Sequence, residues 1–263
     1  MLNAATLRPT LMQHQGIIGL AITIAGFALL LFPFVSANAD AINFLQCKPF
    51  TIEMLPAPVP RHDAEAVERL AAIEREVSSG PHPVIFLGDS LTQKWSPVAW
   101  QHYFVPLAAL NAGVNGDRTE HVLWRLKKGT LDGQEPRVVV LLIGTNDIGR
   151  NRPAAIVAEG VRDNLMLLRK RFPAARILLL GVLPRGESPT FRRRRQVENV
   201  NNLIRRCADG RHIHYLDLAD VLLDPRSVLT RAISPDGVHL SEQAYSRLGA
   251  RLAIELDRIL AKQ

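Results

Sequence analysis

The sequence predicts an α/β fold: a single three-layer domain in which helices cover both faces of a parallel β-sheet. The first observation is a set of five short runs rich in Val, Ile and Leu, each continuous rather than alternating, as strands buried on both faces are. The second is that helical patterns lie between or after these runs. Alternation of strand and helix over about 190 residues indicates parallel pairing through crossover helices, so we expect one domain.

The chain begins with an N-terminal segment whose residues 16–37 are apolar and uncharged. Arg8 precedes this stretch, and the tripeptide "ANA" ending at Ala39 has the small-residue pattern of a signal-peptidase site. We therefore predict that residues 1–39 are a signal peptide. The alternative is an uncleaved membrane anchor, because the stretch is long enough to span a bilayer. Both interpretations export the remainder, to the periplasm or the exterior, and the second keeps it attached to the membrane.

Residues 40–62 are rich in proline and have no clear period, so we predict a linker or an extended arm there. The folded domain then covers residues 63–263. Its first helix is indicated by "AEAVERLAAIEREV", in which apolar residues recur close to helical spacing.

The rest of the domain alternates as an α/β fold requires. The predicted strands are Val84–Leu87, Leu107–Asn111, Val138–Ile143, Ile177–Val182 and Ile213–Leu216. The predicted helices that lie between or after them are Ala99–Tyr103, Glu120–Lys127, Ile156–Arg171, Gln196–Ala208 and Ser241–Ala261.

The net charge of +7 is modest, and it is concentrated in part at Arg192–Arg195. We interpret this cluster as the solvated face of a helix start; the alternative is a patch for anionic lipid headgroups or polyanionic glycans. The basic residues are not interleaved with aromatic ones, which argues against a nucleic-acid-binding module. The chain has two cysteines, Cys47 and Cys207, and whether they pair is left open by the sequence.

Polar residues follow three of the predicted strands. Asp89 and Ser90 end the first run, Asn111–Thr119 follows the second, and Gly144–Asp147 ends the third. In a parallel sheet these positions meet at the carboxyl edge, where active sites gather. Asp89 and Ser90 alone have two interpretations, a helix cap or a nucleophile, because a short polar side chain suits both.

A serine nucleophile needs a base, an orienting acid and donors for the developing oxyanion. His239 lies three residues after Asp236 in a Pro/Gly loop, close enough in sequence to form an acid–imidazole pair. Gly116 offers a backbone N–H that a substrate can approach closely, and Asn146 offers a side-chain amide at a strand end. Each group alone also fits ordinary turn chemistry, but the sheet would bring all of them to one edge.

Four blocks carry a family resemblance: "GDSL", "NAGVNGD", "GTND" and "DGVH", in this order. Together they resemble the signature blocks of the SGNH (GDSL) hydrolases. The longer segments "LNAGVNGDRTEHVLWRLKKG" and "LLLGVLPRGESP" are similar to the catalytic subunits of intracellular platelet-activating-factor acetylhydrolase and their bacterial relatives. The resemblance implies a flavodoxin-like α/β/α sandwich with a five-stranded parallel sheet, and a serine esterase without cofactor or metal.

The resemblance also implies roles for single residues. Ser90 would be the nucleophile, His239 the general base, and Asp236 the acid that orients His239. The oxyanion would be held by the N–H groups of Ser90 and Gly116 and by the side chain of Asn146.

The immediate neighbours of these residues, Leu91, Thr145 and Val238, would shape the acyl pocket. All three are medium-sized, so we expect a small pocket that prefers acetyl or other short acyl groups. Thr92 stands where the nucleophile elbow of α/β-hydrolases has its second glycine, which argues against that fold.

The export segment and the proline-rich arm depart from the intracellular relatives. The natural substrate therefore stays open between an acetylated glycan and a lipid ester of the phospholipid or lysophospholipid type. A homodimer is suggested by the resemblance alone.

Two functions of other classes remain as alternatives. The first is a metal-dependent phosphoesterase using Asp89, Asn111 and the pair His212 and His214, which share one face of a strand. The second is a non-catalytic, envelope-tethered binding module that has kept the fold. The presence of every group required for a serine esterase favours catalysis over both.

Overall fold

A computed structural model describes residues 47–51 and 53–261. The predicted signal peptide or anchor over residues 1–39, with its apolar stretch 16–37, lies outside the described residues, as does the start of the predicted arm. Within the part that is described, no helix has the length and apolar character needed to cross a membrane.

The sheet has five parallel strands, as the sequence predicts. They are β1 (Val84–Gly88), β2 (Ala109–Gly113), β3 (Val138–Leu142), β4 (Arg176–Leu180) and β5 (Ile213–Leu216). Their order is β2-β1-β3-β4-β5, the flavodoxin-like arrangement. The chain order reverses between β1 and β3, and Gly88 at the end of β1 pairs with both Gly113 and Leu142. This reversal point is where such sheets bind ligands.

Helices cover both faces of the sheet. The described helices are α1 (Ala64–Ser79), α2 (Ser90–Gln93), α3 (Pro97–Tyr103), α4 (Thr119–Lys128), α5 (Thr145–Gly149), α6 (Ala154–Arg171), α7 (Arg192–Ile204), α8 (Ala219–Leu222) and α9 (Glu242–Leu260). Along β1, Ile85 and Leu87 pack with α1, α4, α6 and α7, whereas Val84 and Phe86 pack with α3, α8 and α9. Two apolar cores thus enclose the sheet, which confirms the three-layer α/β/α sandwich.

Most predicted boundaries shift by a few residues: α7 lies four residues earlier than predicted, and the second strand begins two residues later than predicted. The segment Val105–Leu107 forms a 3₁₀ turn instead of starting β2, and Ala108 then adopts a left-handed φ of 48°. Pro106 lies within this turn, where its fixed φ suits the conformation, and the strand begins only at Ala109.

The arginine cluster at the start of α7 differs from the solvated face that we expected. Arg192 and Arg195 are exposed, but Arg194 is only 2% exposed. Its guanidinium donates to the carbonyls of Ser227 (3.0 Å) and Gly186 (2.5 Å). Arg194 therefore connects α7 to two neighbouring loops, because burial leaves its terminal N–H groups to bond protein carbonyls in place of water.

The described part of the predicted arm contains no helix or strand, yet it is held against the domain. Cys47 is buried and forms a disulfide with Cys207, which lies in the 3₁₀ turn after α7. The Phe50 N–H donates to the Glu159 carboxylate on α6 at 2.7 Å. The pairing that the sequence left open is therefore present in the structure.

Candidate active site

Ser90 lies at the first position of α2, directly beyond the carboxyl end of β1. Its hydroxyl oxygen is 3.1 Å from His239 Nε2, and His239 Nδ1 is 2.7 Å from an oxygen of Asp236. With the proton on Nδ1, the imidazole donates to Asp236 and its Nε2 accepts from the Ser90 hydroxyl. The structure thus brings the three residues into one hydrogen-bonded chain across a sequence separation of 149. This is the arrangement by which a serine is activated.

The Asp236 carboxylate is held by its own loop. One oxygen accepts the backbone N–H groups of Val238 (2.9 Å) and His239 (2.7 Å), while the other faces the imidazole. Burial alone would raise the pKa of Asp236, but the hydrogen bonds from the His239 side chain and from these N–H groups outweigh it and lower the pKa to about 2. Asp236 is therefore ionised at neutral pH and can stabilise an imidazolium.

The position of Ser90 depends on two glycines that let α2 approach the strand ends. A Cβ at Gly88 would lie within 2.2 Å of the Leu142 carbonyl oxygen, and one at Gly113 within 2.3 Å of the Gln93 nitrogen. Neither position therefore has room for a side chain. The first position of "GDSL" therefore requires a glycine for steric reasons.

Asp89 caps the same helix. The interpretation of this segment as a helix cap is therefore compatible with the interpretation of Ser90 as a nucleophile. One oxygen of the Asp89 carboxyl accepts the Leu91 N–H at 2.9 Å, and the other oxygen has no hydrogen-bond partner among the described residues. The side chain is fully buried, and this burial raises its pKa to about 7 although the Leu91 hydrogen bond opposes the shift. The nearby carboxylates Asp117 and Asp147 raise it further.

The two candidate oxyanion donors, Gly116 and Asn146, line one cavity of about 490 Å³. Gly116 has φ +78°, a left-handed conformation that favours glycine. The Asn146 amide donates to the Asp117 carbonyl at 2.8 Å, which fixes its orientation. An amide nitrogen carries two N–H groups, so one remains for a substrate oxygen.

A buried arginine, which no sequence pattern indicated, connects these elements. Arg125 on α4 is 2% exposed and donates to Asp117 (2.9 Å), to the Ala112 carbonyl (3.1 Å) and to the Gly88 carbonyl (3.2 Å). It therefore joins the ends of β1 and β2 to the loop that carries Gly116. In the sequence it sits in "HVLWRLKK", where an arginine on an amphipathic helix would ordinarily face solvent.

A second buried network joins α4 to α5, the short helix that carries Asn146. The Asp147 carboxylate accepts from the Thr119 N–H (3.1 Å), from the Thr119 hydroxyl (2.9 Å) and from Arg152 (2.7 Å). Arg152 also pairs with Glu120. Burial would raise the pKa of Glu120, but hydrogen bonds from Arg152 and Arg118 lower it to about 2, so the pair is charged at neutral pH. The network fixes Asn146 relative to the Gly116 loop.

The three residues predicted to shape the acyl pocket lie beside the catalytic groups with different exposure. Leu91 and Thr145 are buried, and Val238 is half-buried. Thr145 accepts a hydrogen bond from Arg185 through its hydroxyl (3.0 Å), while the Leu91 carbonyl accepts from the Tyr245 hydroxyl (3.1 Å). Their role in selecting the acyl group stays a prediction.

The residues of the alternative metal site are not gathered. His212 directly precedes β5 and His214 lies early in it, and two strands, β3 and β4, separate β5 from β1, which Ser90 follows. Asn111 uses its amide to bind the Thr92 carbonyl at 2.9 Å. Among residues 47–51 and 53–261, no group of three or more His, Cys, Asp or Glu side chains is placed to hold a metal ion.

Comparison with known proteins agrees with the fold and with the serine chemistry. The model of the GDSL-like lipase/acylhydrolase family matches residues 86–247. The alpha1 subunit of platelet-activating factor acetylhydrolase IB from Homo sapiens is 35% identical over 211 residues, covering 78% of this chain and 90% of the human protein.

Two solved structures are similar in fold. A GDSL-like lipase from Bacteroides thetaiotaomicron matches with a TM-score of 0.61 and 19% identity over 72% of this chain and 97% of its own. A carbohydrate acetylesterase from Sinorhizobium meliloti matches with a TM-score of 0.52 and 18% identity over 67% of this chain and 98% of its own.

Proposed function

The chain belongs to the GDSL-like lipase/acylhydrolase family and is a serine ester hydrolase, and from this premise we propose that it removes short acyl groups, above all acetyl, through an acyl-enzyme intermediate. The observation that carries the proposal is the hydrogen-bonded chain from Ser90 through His239 to Asp236.

The proposed reaction has two halves. The Ser90 oxygen attacks the ester carbonyl carbon while His239 Nε2 takes the hydroxyl proton. The oxyanion accepts hydrogen bonds from the Ser90 N–H, the Gly116 N–H and the Asn146 amide. Collapse breaks the bond to the alcohol, which leaves with the proton from His239. Water then attacks the acyl-enzyme with His239 again as base, releasing the acid and restoring Ser90.

The preference for acetyl rests on the residues next to the catalytic groups. Leu91 and Thr145 are buried, the Thr145 side chain is held by Arg185, and Val238 adjoins His239, so we expect little freedom to open a channel for a long chain. The names of the human and Sinorhizobium relatives, an acetylhydrolase and a carbohydrate acetylesterase, support the same acyl group. They also motivate two substrate classes, a lipid ester and an acetylated glycan.

We expect p-nitrophenyl acetate to be hydrolysed with a higher kcat/KM than p-nitrophenyl octanoate. Ser90→Ala should lower kcat by at least about 10⁴-fold, because nothing else can form the acyl-enzyme. Ser78→Ala, at the exposed end of α1, is the matched control and should leave turnover unchanged. Faster turnover of the octanoate would contradict the acetyl preference, and an active Ser90→Ala variant would contradict the mechanism.

We propose further that the domain is exported. The apolar segment 16–37 and the "ANA" pattern support this, as does the disulfide between Cys47 and Cys207, since disulfides persist mainly in oxidising compartments. The mass of the purified protein tests it. A chain beginning near Asp40 is expected for cleavage, and a chain retaining Arg8 would indicate the anchor instead.

A further inference from the structure

The cavity that Gly116 and Asn146 line extends beyond the oxyanion donors. It has a volume of about 490 Å³, and its other walls come from the end of the arm, the start of α1, the start of α4 and the end of α5. The arm contributes Pro60–His62, Asp63 caps α1, Arg118 and His121 stand at the start of α4, and Arg150 directly follows α5. The cavity is thus bordered by charged and polar side chains and by glycine backbone, with a proline as its apolar part.

Two of its arginines are held by partners. Arg61 pairs with Asp63 at 2.7 Å and donates to the Asn115 carbonyl at 2.8 Å. Arg118 pairs with Glu120 at 2.6 Å. The pairs fix both guanidinium groups against the cavity: a Cβ on Gly116 would lie 2.8 Å from Arg61.

Arg150 has no such partner. It follows the last residue of α5, four positions after Asn146, and both residues line the cavity. Its side chain is exposed and makes no hydrogen bond or ion pair with any residue in 47–51 or 53–261. His121 adds no charge near neutral pH, because burial and the adjacent Arg118 lower its pKa to about 4. Among the described residues that line this cavity, Arg150 is therefore the arginine without a paired carboxylate.

A cavity of this composition suits a charged alcohol part of an ester substrate better than an apolar acyl part. An apolar acyl chain would gain little there, because its burial would displace water from charged groups without apolar contact in return. A carboxylate or phosphate would pair with guanidinium groups, which match both anions in geometry.

We infer that this cavity binds a negatively charged group, a carboxylate or a phosphate, on the alcohol part of the ester. The inference rests on the proposed function, because it places that group next to the oxyanion donors. It predicts that the enzyme prefers anionic esters to neutral ones of the same shape.

The test uses three acetyl esters with the same aromatic ring: methyl 4-acetoxybenzoate as the neutral probe, 4-acetoxybenzoate for the carboxylate, and 4-acetoxyphenyl phosphate for the phosphate. The quantity measured is the ratio of kcat/KM for each anionic ester to that of the neutral one. We expect a ratio above one for at least one anion, and the larger ratio identifies the carboxylate or the phosphate as the natural group.

Arg150 variants then test whether the preference for anionic esters depends on this residue. Arg150→Gln should lower the ratio by about fivefold, the upper range for one solvent-exposed ion pair. Arg150→Lys should keep most of it, and Arg150→Glu should lower it further than Arg150→Gln. Raising NaCl to about 1 M should bring the ratio of the parent enzyme toward one. The control is Arg75→Gln, an exposed arginine on α1 outside the cavity, which should leave the ratio unchanged.

Ratios at or below one for both anions, or a ratio that Arg150→Gln leaves unaltered, would overturn the inference while hydrolysis of the neutral ester keeps the proposed function intact. Hydrolysis of the neutral ester by Ser90→Ala at the parental rate would instead overturn the proposed function, and this inference with it.

Discussion

At the scale of single residues, Asp89 combines a structural and an electrostatic property beside the proposed nucleophile. Its carboxyl caps α2 through the Leu91 N–H, and burial raises its pKa to about 7. The unfolded chain ionises this carboxyl near its ordinary value of 3.8, so between these two pH values the folded state holds a proton that the unfolded state has released. The contribution of Asp89 to stability must therefore fall as pH rises from about 4 to about 7.

Asp89→Asn should remove this dependence, because asparagine keeps the acceptor for the Leu91 N–H and cannot ionise. We expect the free energy of unfolding of the variant, relative to the parent, to increase between pH 4 and pH 8 by up to about 4 kcal/mol, since each pKa unit corresponds to 1.36 kcal/mol. Urea unfolding at several pH values measures it. The surface variant Asp220→Asn is the control, and an identical difference between Asp89→Asn and parent at pH 5 and pH 8 would contradict the account.

Sequence patterns are informative at this scale where a residue's chemistry is local. Asp236 and His239 lie three residues apart and meet within one loop, so their pairing could be anticipated. The roles of Arg125 and Arg194 could not be, because a buried arginine differs from an exposed one only through acceptors far away in sequence.

At the scale of elements, the site depends on how three strand ends are held together. Arg125 reaches from α4 to the carbonyls of Gly88 and Ala112 and to the Asp117 carboxylate. Burial raises the pKa of Asp117, and the adjacent Arg125 opposes this shift, so the carboxylate depends on the guanidinium to remain charged. Loss of Arg125 would leave a buried charge and two buried carbonyls without this donor.

Arg125→Met should therefore lower the free energy of unfolding by about 3–5 kcal/mol, the cost of breaking a buried ion pair from one side. Lys127→Met, exposed on the same helix, is the matched control and should change it by less than about 0.5 kcal/mol. In the double variant with Asp117→Asn the effect should be smaller than the sum of the two single effects, because the stranded charge is removed. Additive effects in chemical unfolding would contradict the role of the pair.

The five strands could be predicted from the sequence because strands of a parallel sheet are continuous apolar runs. All five predicted strands are present in the sheet. The ends of the strands were predicted less accurately where a turn lies next to a strand. The 3₁₀ turn at Val105–Leu107 replaced the predicted start of β2, since apolar content alone does not distinguish a buried turn from a strand.

At the scale of the whole molecule, the carboxyl edge of the sheet explains why the site residues meet, and the disulfide explains how the arm is fastened. The sheet order places the ends of β1, β2 and β3 side by side, so the positions of Ser90, Gly116 and Asn146 could be anticipated from alternation. The contribution of the arm to the cavity could not be, because it depends on the contact of Arg61 with the carbonyl of Asn115, 54 residues away in sequence.

Removing this disulfide should lower stability markedly. It closes a long loop, so Cys47→Ala/Cys207→Ala should lower the free energy of unfolding by about 2–5 kcal/mol through the greater entropy of the unfolded chain. Reductant should destabilise the parent by a similar amount and leave the variant unchanged. Thiol titration confirms that the parent is reduced. If the reduced parent then unfolds at the same denaturant concentration as the oxidised protein, the disulfide does not stabilise the fold and the prediction is wrong.

The central claim, that Ser90 is the activated nucleophile, is tested most directly by fluorophosphonate labelling followed by peptide mapping. We expect one adduct per chain, on Ser90, with esterase activity lost in proportion to labelling and no adduct on Ser90→Ala. Labelling should also fall sharply in His239→Ala, because the hydroxyl then has no base. A fully labelled chain that still hydrolyses p-nitrophenyl acetate, or an adduct on another serine that accounts for the lost activity, would contradict the claim.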